Sequence, residues 1–236
     1  MKTKKTKSTK PATALVLWCC AADMTSRNKF VWPCVGGIAA ATDWRDDLKC
    51  GGGLHGWLYG AGDYTASDYW RKDDAKWLVL EVEESGIREF DSKCKFLSAL
   101  VRFVGGKAAA AAYLVAHESR SVACDVIGLS IVVGDHQTAA CGPLGTATSG
   151  DLGTSTSVNW GTSTSGHGGT SAAGELGTST SGKGGEIRIR YCDSKAQRYR
   201  IAVGYIGENG IKANVAYKLD RDHKFIKVSQ CLLNNI

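Results

Sequence analysis

The sequence predicts an α+β N-terminal domain, then a narrow β-solenoid of octapeptide repeats, then a small β-rich C-terminal cap. Three observations carry that reading. An eight-residue repeat runs from Gly145 to Gly184. Apolar strand-like runs and one Ala-rich stretch precede it, and short β-prone runs follow it. The 236 residues thus divide into a basic tail (1–12), a mixed α/β domain (13–128), the repeat (129–185) and a cap (186–236).

The repeat reads GTATSGDL, GTSTSVNW, GTSTSGHG, GTSAAGEL and GTSTSGKG. Position one is always Gly and position two always Thr. Position four is Thr148, Thr156, Thr164, Ala172 and Thr180. Strand side chains alternate, so positions two and four share one face while Ser or Ala at three and five share the other. Glycine at positions one and, usually, six is expected to let the chain turn between short strands. A short fixed period of self-similar units indicates stacking, with two octads per coil. Gly, Ser and Thr at this density also make flexible linkers. The phase kept by every octad favours order. Two degenerate octads, 129–136 and 137–144, bring larger apolar residues and read as a leading cap. The pattern leaves open which repeat face is buried.

In the N-terminal domain, Leu15–Cys19 and Trp77–Val82 are apolar and β-prone and read as strands, with Val101–Val104 as another. Asp63–Arg71 reads as a short helix. Lys107–His117 reads as a longer one, because alanine has the best helix propensity. In the cap, Ile187–Tyr191, Tyr199–Val203, Ala213–Leu219 and Phe225–Val228 suggest an antiparallel meander, with Asn209-Gly210 as a hairpin-type turn.

The net charge of +6 is unevenly placed. Five lysines crowd the first ten residues and a basic excess recurs after Glu186, so nucleic acid is a candidate partner through the basic ends. Lys-rich residues 1–10 followed by the apolar run Ala12–Ala22 resemble a secretory signal; the same run also reads as a buried first strand, which is the preferred reading. Nine cysteines, an odd number with no CxxC pair, point to a reducing, cytoplasmic setting. No apolar run reaches the ~20 residues that a membrane helix needs.

The densest candidate for ligand binding is Gly51, Gly52, Gly53, His55 and Trp57. Glycines open the backbone to close approach, and His55 can exchange a proton. The segment is neither a P-loop nor a GxGxxG turn. Five histidines are scattered without paired ligand spacing, so no metal site is expected. Arg188, Arg190, Arg198 and Arg200, interleaved with Tyr191 and Tyr199, suit a nucleic-acid backbone. The alternative for them is a solvated strand face with edge-blocking charges.

Three resemblances follow from these segments. LVLWCCAADMTS, FVWP, CGGGLHGWLYGAGD and KWLVLEVEE, with the GTxTxG octads and YRIAVGYIGENGI, resemble phage and bacterial proteins of unknown function. That likeness implies a phage or prophage setting and no activity. The order Gly53-Leu54-His55, Ala66–Tyr69, strand Trp77–Val82 is similar in layout to ADP-ribosyltransferases. It implies an NAD pocket lined by His55 and Tyr69 as catalytic candidates; the family's glutamate has no assigned position, with Glu81, Glu83 and Glu84 available. Regular Thr-x-Thr arrays on a flat solenoid resemble ice-binding proteins. This requires Thr146, Thr148, Thr154, Thr156, Thr162, Thr164, Thr170, Thr178 and Thr180 to face outward with Ala172.

The favoured expectation is a non-enzymatic binding or scaffolding protein of phage origin. It has no cofactor, an unknown macromolecular partner and scope for homo-oligomerisation, and its solenoid acts as a spacer. An NAD-using enzyme and a nucleic-acid-binding module are the alternatives.

Overall fold

The computed structural model describes residues 11–228. The basic residues 1–10 therefore lie outside the described residues.

Seven strands form one antiparallel sheet: β1 (Thr13–Cys20), β2 (Ile38–Ala40), β3 (Leu54–Leu58), β4 (Lys76–Glu83), β5 (Arg88–Phe90), β6 (Lys93–Phe96) and β7 (Ser98–Gly105). Their spatial order is β2-β7-β4-β1-β3-β6-β5. The run read either as a signal or as a first strand is β1, at the centre, with Val16, Leu17, Cys19 and Cys20 fully buried. It pairs with β4 over eight residues, Thr13↔Glu83 to Cys20↔Lys76. A continuous apolar run suits a strand covered on both faces.

Helix α1 (Lys107–His117) packs on β1, β4 and β7 through Ala110, Ala111 and Leu114. Beyond it, the buried Glu118 carboxylate accepts from Leu15 N at 3.1 Å and from the Arg120 guanidinium, fastening the start of β1. The short helix expected over Asp63–Arg71 is only a single 3₁₀ turn, Tyr64–Ala66. Asp63 Oδ1 accepts from both Thr65 N and its hydroxyl, a local turn that competes with helix.

The solenoid has eight short parallel strands. On one side lie β8 (Ser130–Val132), β10 (Thr146–Thr148), β12 (Thr162–Ser165) and β14 (Thr178–Ser181). On the other lie β9 (Thr138–Cys141), β11 (Thr154–Ser157), β13 (Thr170–Ala173) and β15 (Glu186–Asp193). Each strand pairs with the one sixteen residues on, as in Thr146↔Thr162↔Thr178. Two octads therefore make one coil, as the period predicted.

Serines at positions three and five are buried and the threonines face out. Inside, Ser171 Oγ lies 2.9 Å from Ser163 Oγ and 2.7 Å from Ser179 Oγ, and Ser165 and Ser181 hydroxyls are 2.9 Å apart. In the leading coil, Ile131, Val133, Ala139 and Cys141 fill the interior with apolar groups instead.

The glycines serve a purpose other than the one expected. None at positions one or six adopts a positive φ; the left-handed residue is position eight, at Leu144, Leu152, Trp160, Gly168, Leu176 and Gly184. From Gly142 onward, position-one and position-six glycines are required by close approach. A Cβ on Gly161 would meet Ser157 Cβ at 2.6 Å. One on Gly174 would meet Asn159 N and Val158 C of the coil below at 2.5 Å. Asp and Asn at position seven stack at these corners: Asp135 Oδ1 accepts from Asp151 N at 2.8 Å, Asp151 from His167 N at 2.7 Å, and Asn159 from Glu175 N at 3.1 Å.

Sheet and solenoid share a core. Val126, Ile127 and Leu144 are buried with the strands of the first sheet. One coil further, Trp160 packs edge-on to Trp70 at 5.3 Å, and the Arg71 guanidinium stacks on both rings at 4.5 and 4.8 Å.

The expected C-terminal meander is instead divided between the two sides. β15 is itself the last solenoid strand, and β16 (Arg198–Tyr205) folds back on it. β17 (Tyr217–Leu219) and β18 (Phe225–Lys227) extend the opposite sheet beyond β14. Asn209 and Gly210 are both left-handed, as such a turn demands. Yet they connect strands of different sheets, so they close no hairpin.

Candidate functional site

Two features of the molecule present organised chemistry: the outer faces of the solenoid and a cavity in the first sheet.

The nine threonines and Ala172 divide between two faces. One face carries Thr146 and Thr148, Thr162 and Thr164, and Thr178 and Thr180 in register, three unbroken Thr-x-Thr ranks. The opposite face carries Thr138 and Ala140, Thr154 and Thr156, Thr170 and Ala172, then Glu186 and Arg188. Strand spacing of ~4.8 Å and a two-residue advance of ~6.6 Å set each array as a regular grid. Parallel pairing fixes the grid because the backbone ladder cannot slip without exposing the inner serines. Each rank presents a hydroxyl and a methyl side by side.

The cavity, of about 380 Å³, is lined by Gly51, Gly52, Gly53, His55 and Tyr69, with Trp18, Trp32 and Lys93 among its other walls. Five of the six residues singled out from sequence thus come together. Trp57 does not: it is fully buried behind the wall, 4.8 Å from the Trp18 ring, with its indole N–H donated to Asp63 O. Gly51, Gly52 and Gly53 all have positive φ, so a loop that only glycine tolerates shapes the rim. Lys95, with no exposed surface, anchors that loop. Its ammonium pairs with Asp47 and donates to Lys49 O at 3.0 Å and Gly51 O at 3.3 Å. No sequence signal marks Lys95; in β6 Cys94 and Phe96 face the apolar core, and Lys95 on the opposite face is buried by the loop it binds.

His55 Nε2 accepts from Gly51 N at 3.3 Å. Burial, then the nearby Lys93 and Lys95 ammoniums, push its pKa down to about 4, so the ring is neutral at neutral pH. The cavity's carboxylates are Asp43 and Asp68, the latter paired with Arg27. Glu81 and Glu84 bind Arg102 and Arg120 in a separate depression, and Glu83 accepts from Ser85. The glutamates suggested for an NAD pocket therefore do not face His55 and Tyr69.

The four arginines form no common surface either. Arg188 and Arg190 point outward on β15, whereas the register sets Arg198 and Arg200 on the opposite side of the hairpin. Arg188 pairs with Glu186, Arg200 with Asp193, and Arg190 stacks on Tyr199 at 3.8 Å. Among the described residues no cluster of His, Cys, Asp or Glu suits a metal ion. No described helix is long and apolar enough to cross a membrane.

Fold and faces together define a threonine-faced β-solenoid built onto an antiparallel sheet. No family model and no solved structure matches the chain. It is similar to an ice nucleation protein of Pseudomonas fluorescens, 34% identical over 112 residues that make up 47% of this chain and 9% of the relative. It is also similar to ice nucleation protein InaU of Pantoea ananas, 32% identical over 112 residues, 47% of this chain and 10% of that protein. The chain spans about a tenth of the length of these curated relatives. These likenesses overturn the expectation of a phage binding or scaffolding protein. That expectation made the solenoid a spacer, whereas the relatives are named for ice.

Proposed function

We propose that the solenoid binds ice or ice-like water through its outward threonine face, and that the β10-β12-β14 side is the working surface. The observation that carries this is the unbroken grid of Thr146, Thr148, Thr162, Thr164, Thr178 and Thr180, in register and turned to solvent while the serines are buried. Hydroxyls at fixed spacing hold waters in a lattice, and the adjoining methyls keep those waters from alternative arrangements. The names of the similar proteins support the same reading. On the opposite side, Ala140 and Ala172 interrupt the ranks and Arg188 ends them.

Partition of the protein into slowly growing ice tests the proposal. Wild type is expected to concentrate in the ice fraction, and Thr162→Lys/Thr164→Lys to be excluded from it. Thr154→Lys/Thr156→Lys, on the opposite face, should partition nearly as wild type. Exclusion of the wild-type protein, or equal partition of all three, overturns the assignment.

A further inference from the structure

The outer edge of the C-terminal hairpin has a feature that ice binding does not require. On β16, Tyr199, Ile201, Val203 and Tyr205 are 51%, 61%, 46% and 52% exposed, and all four point outward. Among the described residues β16 ends its sheet, with β15 on one side only.

The ladder parity makes this edge specific. Ile206 N donates to Gly185 O, the residue directly opposite it, so the pair is of the hydrogen-bonded type. Such pairs alternate along an antiparallel ladder. The even-numbered residues 198, 200, 202 and 204 therefore turn their N–H and C=O groups to β15. Tyr199, Ile201 and Val203 turn theirs to the open edge, as Tyr205 does its N–H, while the Tyr205 C=O accepts from Glu208 N at 3.1 Å. The same four residues offer an apolar surface and, apart from the Tyr205 carbonyl, backbone groups that have no partner among the described residues. Open edges are usually blocked by charge or proline; on this outward face β16 has neither.

We infer that β16 pairs with β16 of a second copy of this chain, antiparallel, about a two-fold axis at Ala202. That register opposes Tyr199 to the partner copy's 205 position and Ile201 to its 203 position. Every opposed outward pair is then apolar; each 201/203 pair exchanges two backbone hydrogen bonds, and in each 199/205 pair the Tyr205 N–H donates to the Tyr199 carbonyl, the Tyr205 carbonyl already accepting from Glu208 N. It also brings Arg198 of each copy beside the turn that carries Glu208 of the other. Neither Arg198 nor Glu208 belongs to an ion pair among the described residues. A one-residue slip destroys the parity, and a two-residue slip leaves a tyrosine unopposed. An isologous contact of this kind closes at two copies. It joins the two β9-β11-β13-β15 sheets into one continuous sheet. The inference stands apart from the ice reading and is tested without ice.

Sedimentation velocity of the full chain at tens of micromolar is the measurement. Wild type is expected at twice 25.1 kDa. Ile201→Lys/Val203→Lys and Ile201→Glu/Val203→Glu should each sediment as monomers, because like charges then face each other across the axis. Mixing the two variants should restore the doubled mass. Val122→Lys, at a site 77% exposed elsewhere, should leave the dimer intact. A wild type that stays at 25.1 kDa, or charge variants that still self-associate, overturns the pairing. So does a mixture that remains monomeric.

Discussion

The antiparallel sheet and the solenoid are parts of one molecule held together in different ways. Leu17, Leu78, Leu80, Trp57, Phe96 and Val101 fill the first, each with no exposed surface. The interior of the second is Ser155, Ser163, Ser171 and Ser179, equally buried, and contributes little apolar area. The sheet gains from removing large side chains from water. The solenoid relies on an unbroken backbone ladder and stacked Asp and Asn corners, and between its end coils its core holds little beyond hydroxymethyl and methyl groups. A chain can therefore order a flat surface without a large apolar core, provided its ends are covered. Here Leu144 and Trp160 dock the leading coils onto the sheet, and β16, β17 and β18 close the far end.

Core truncation separates the two regions most strongly. Leu80→Ala should lower unfolding stability by about 2–5 kcal/mol in denaturant titration. A loss below about 1 kcal/mol would mean that the sheet is not packed as described. In the solenoid the sensitive positions are the glycines. Gly174→Ala drives a methyl into the backbone of Val158 and Asn159 and should cost about 1–3 kcal/mol. If the coils can separate freely, the change will be neutral.

The inner hydroxyls sharpen the contrast. Ser171 Oγ also donates to Ser163 O at 2.8 Å, so Ser171→Ala should cost about 1 kcal/mol. Ser155 Oγ is buried with no hydrogen-bond partner among the described residues, and Ser155→Ala should be neutral or stabilising. Equal costs at the two sites would show that the inner ladder is not selective. The last effect is pH-dependent. The folded pKa of His55, about 4, lies below the ordinary 6.5, so the unfolded chain binds more protons between those values. Stability contributed by neutral His55 is full above pH 6.5 and is lost as pH falls toward 4. His55→Gln should flatten that part of the stability profile. An unchanged slope would assign it to other groups.

The coil was legible because a strict period leaves few ways to stack, and β1, β4 and α1 because long apolar or Ala-rich runs outweigh local competition. Short strands such as β2, β5 and β6 are not legible in the sequence, since three or four residues carry too little pattern. Asp63 captured its own backbone and kept a helical stretch from forming. The repeat glycines suit turns by their spacing, whereas their role is to let coils approach, which concerns residues sixteen apart in the chain. The Gly51–Gly53 and His55 cluster was visible as a segment. Tyr69, Trp18, Trp32 and Lys93 joined it only through the sheet order.

By itself the sequence determined the sixteen-residue coil, the alternation of serine and threonine, and the central strand, because all three follow from local spacing and apolar content. Only the tertiary structure decided that threonine faces out, that the ranks split into one complete face and one interrupted face, and that β16 ends its sheet among the described residues. Those outcomes depend on which side chains the closed coil can accommodate and on which strand finds a neighbour, and neither is a property of any single segment.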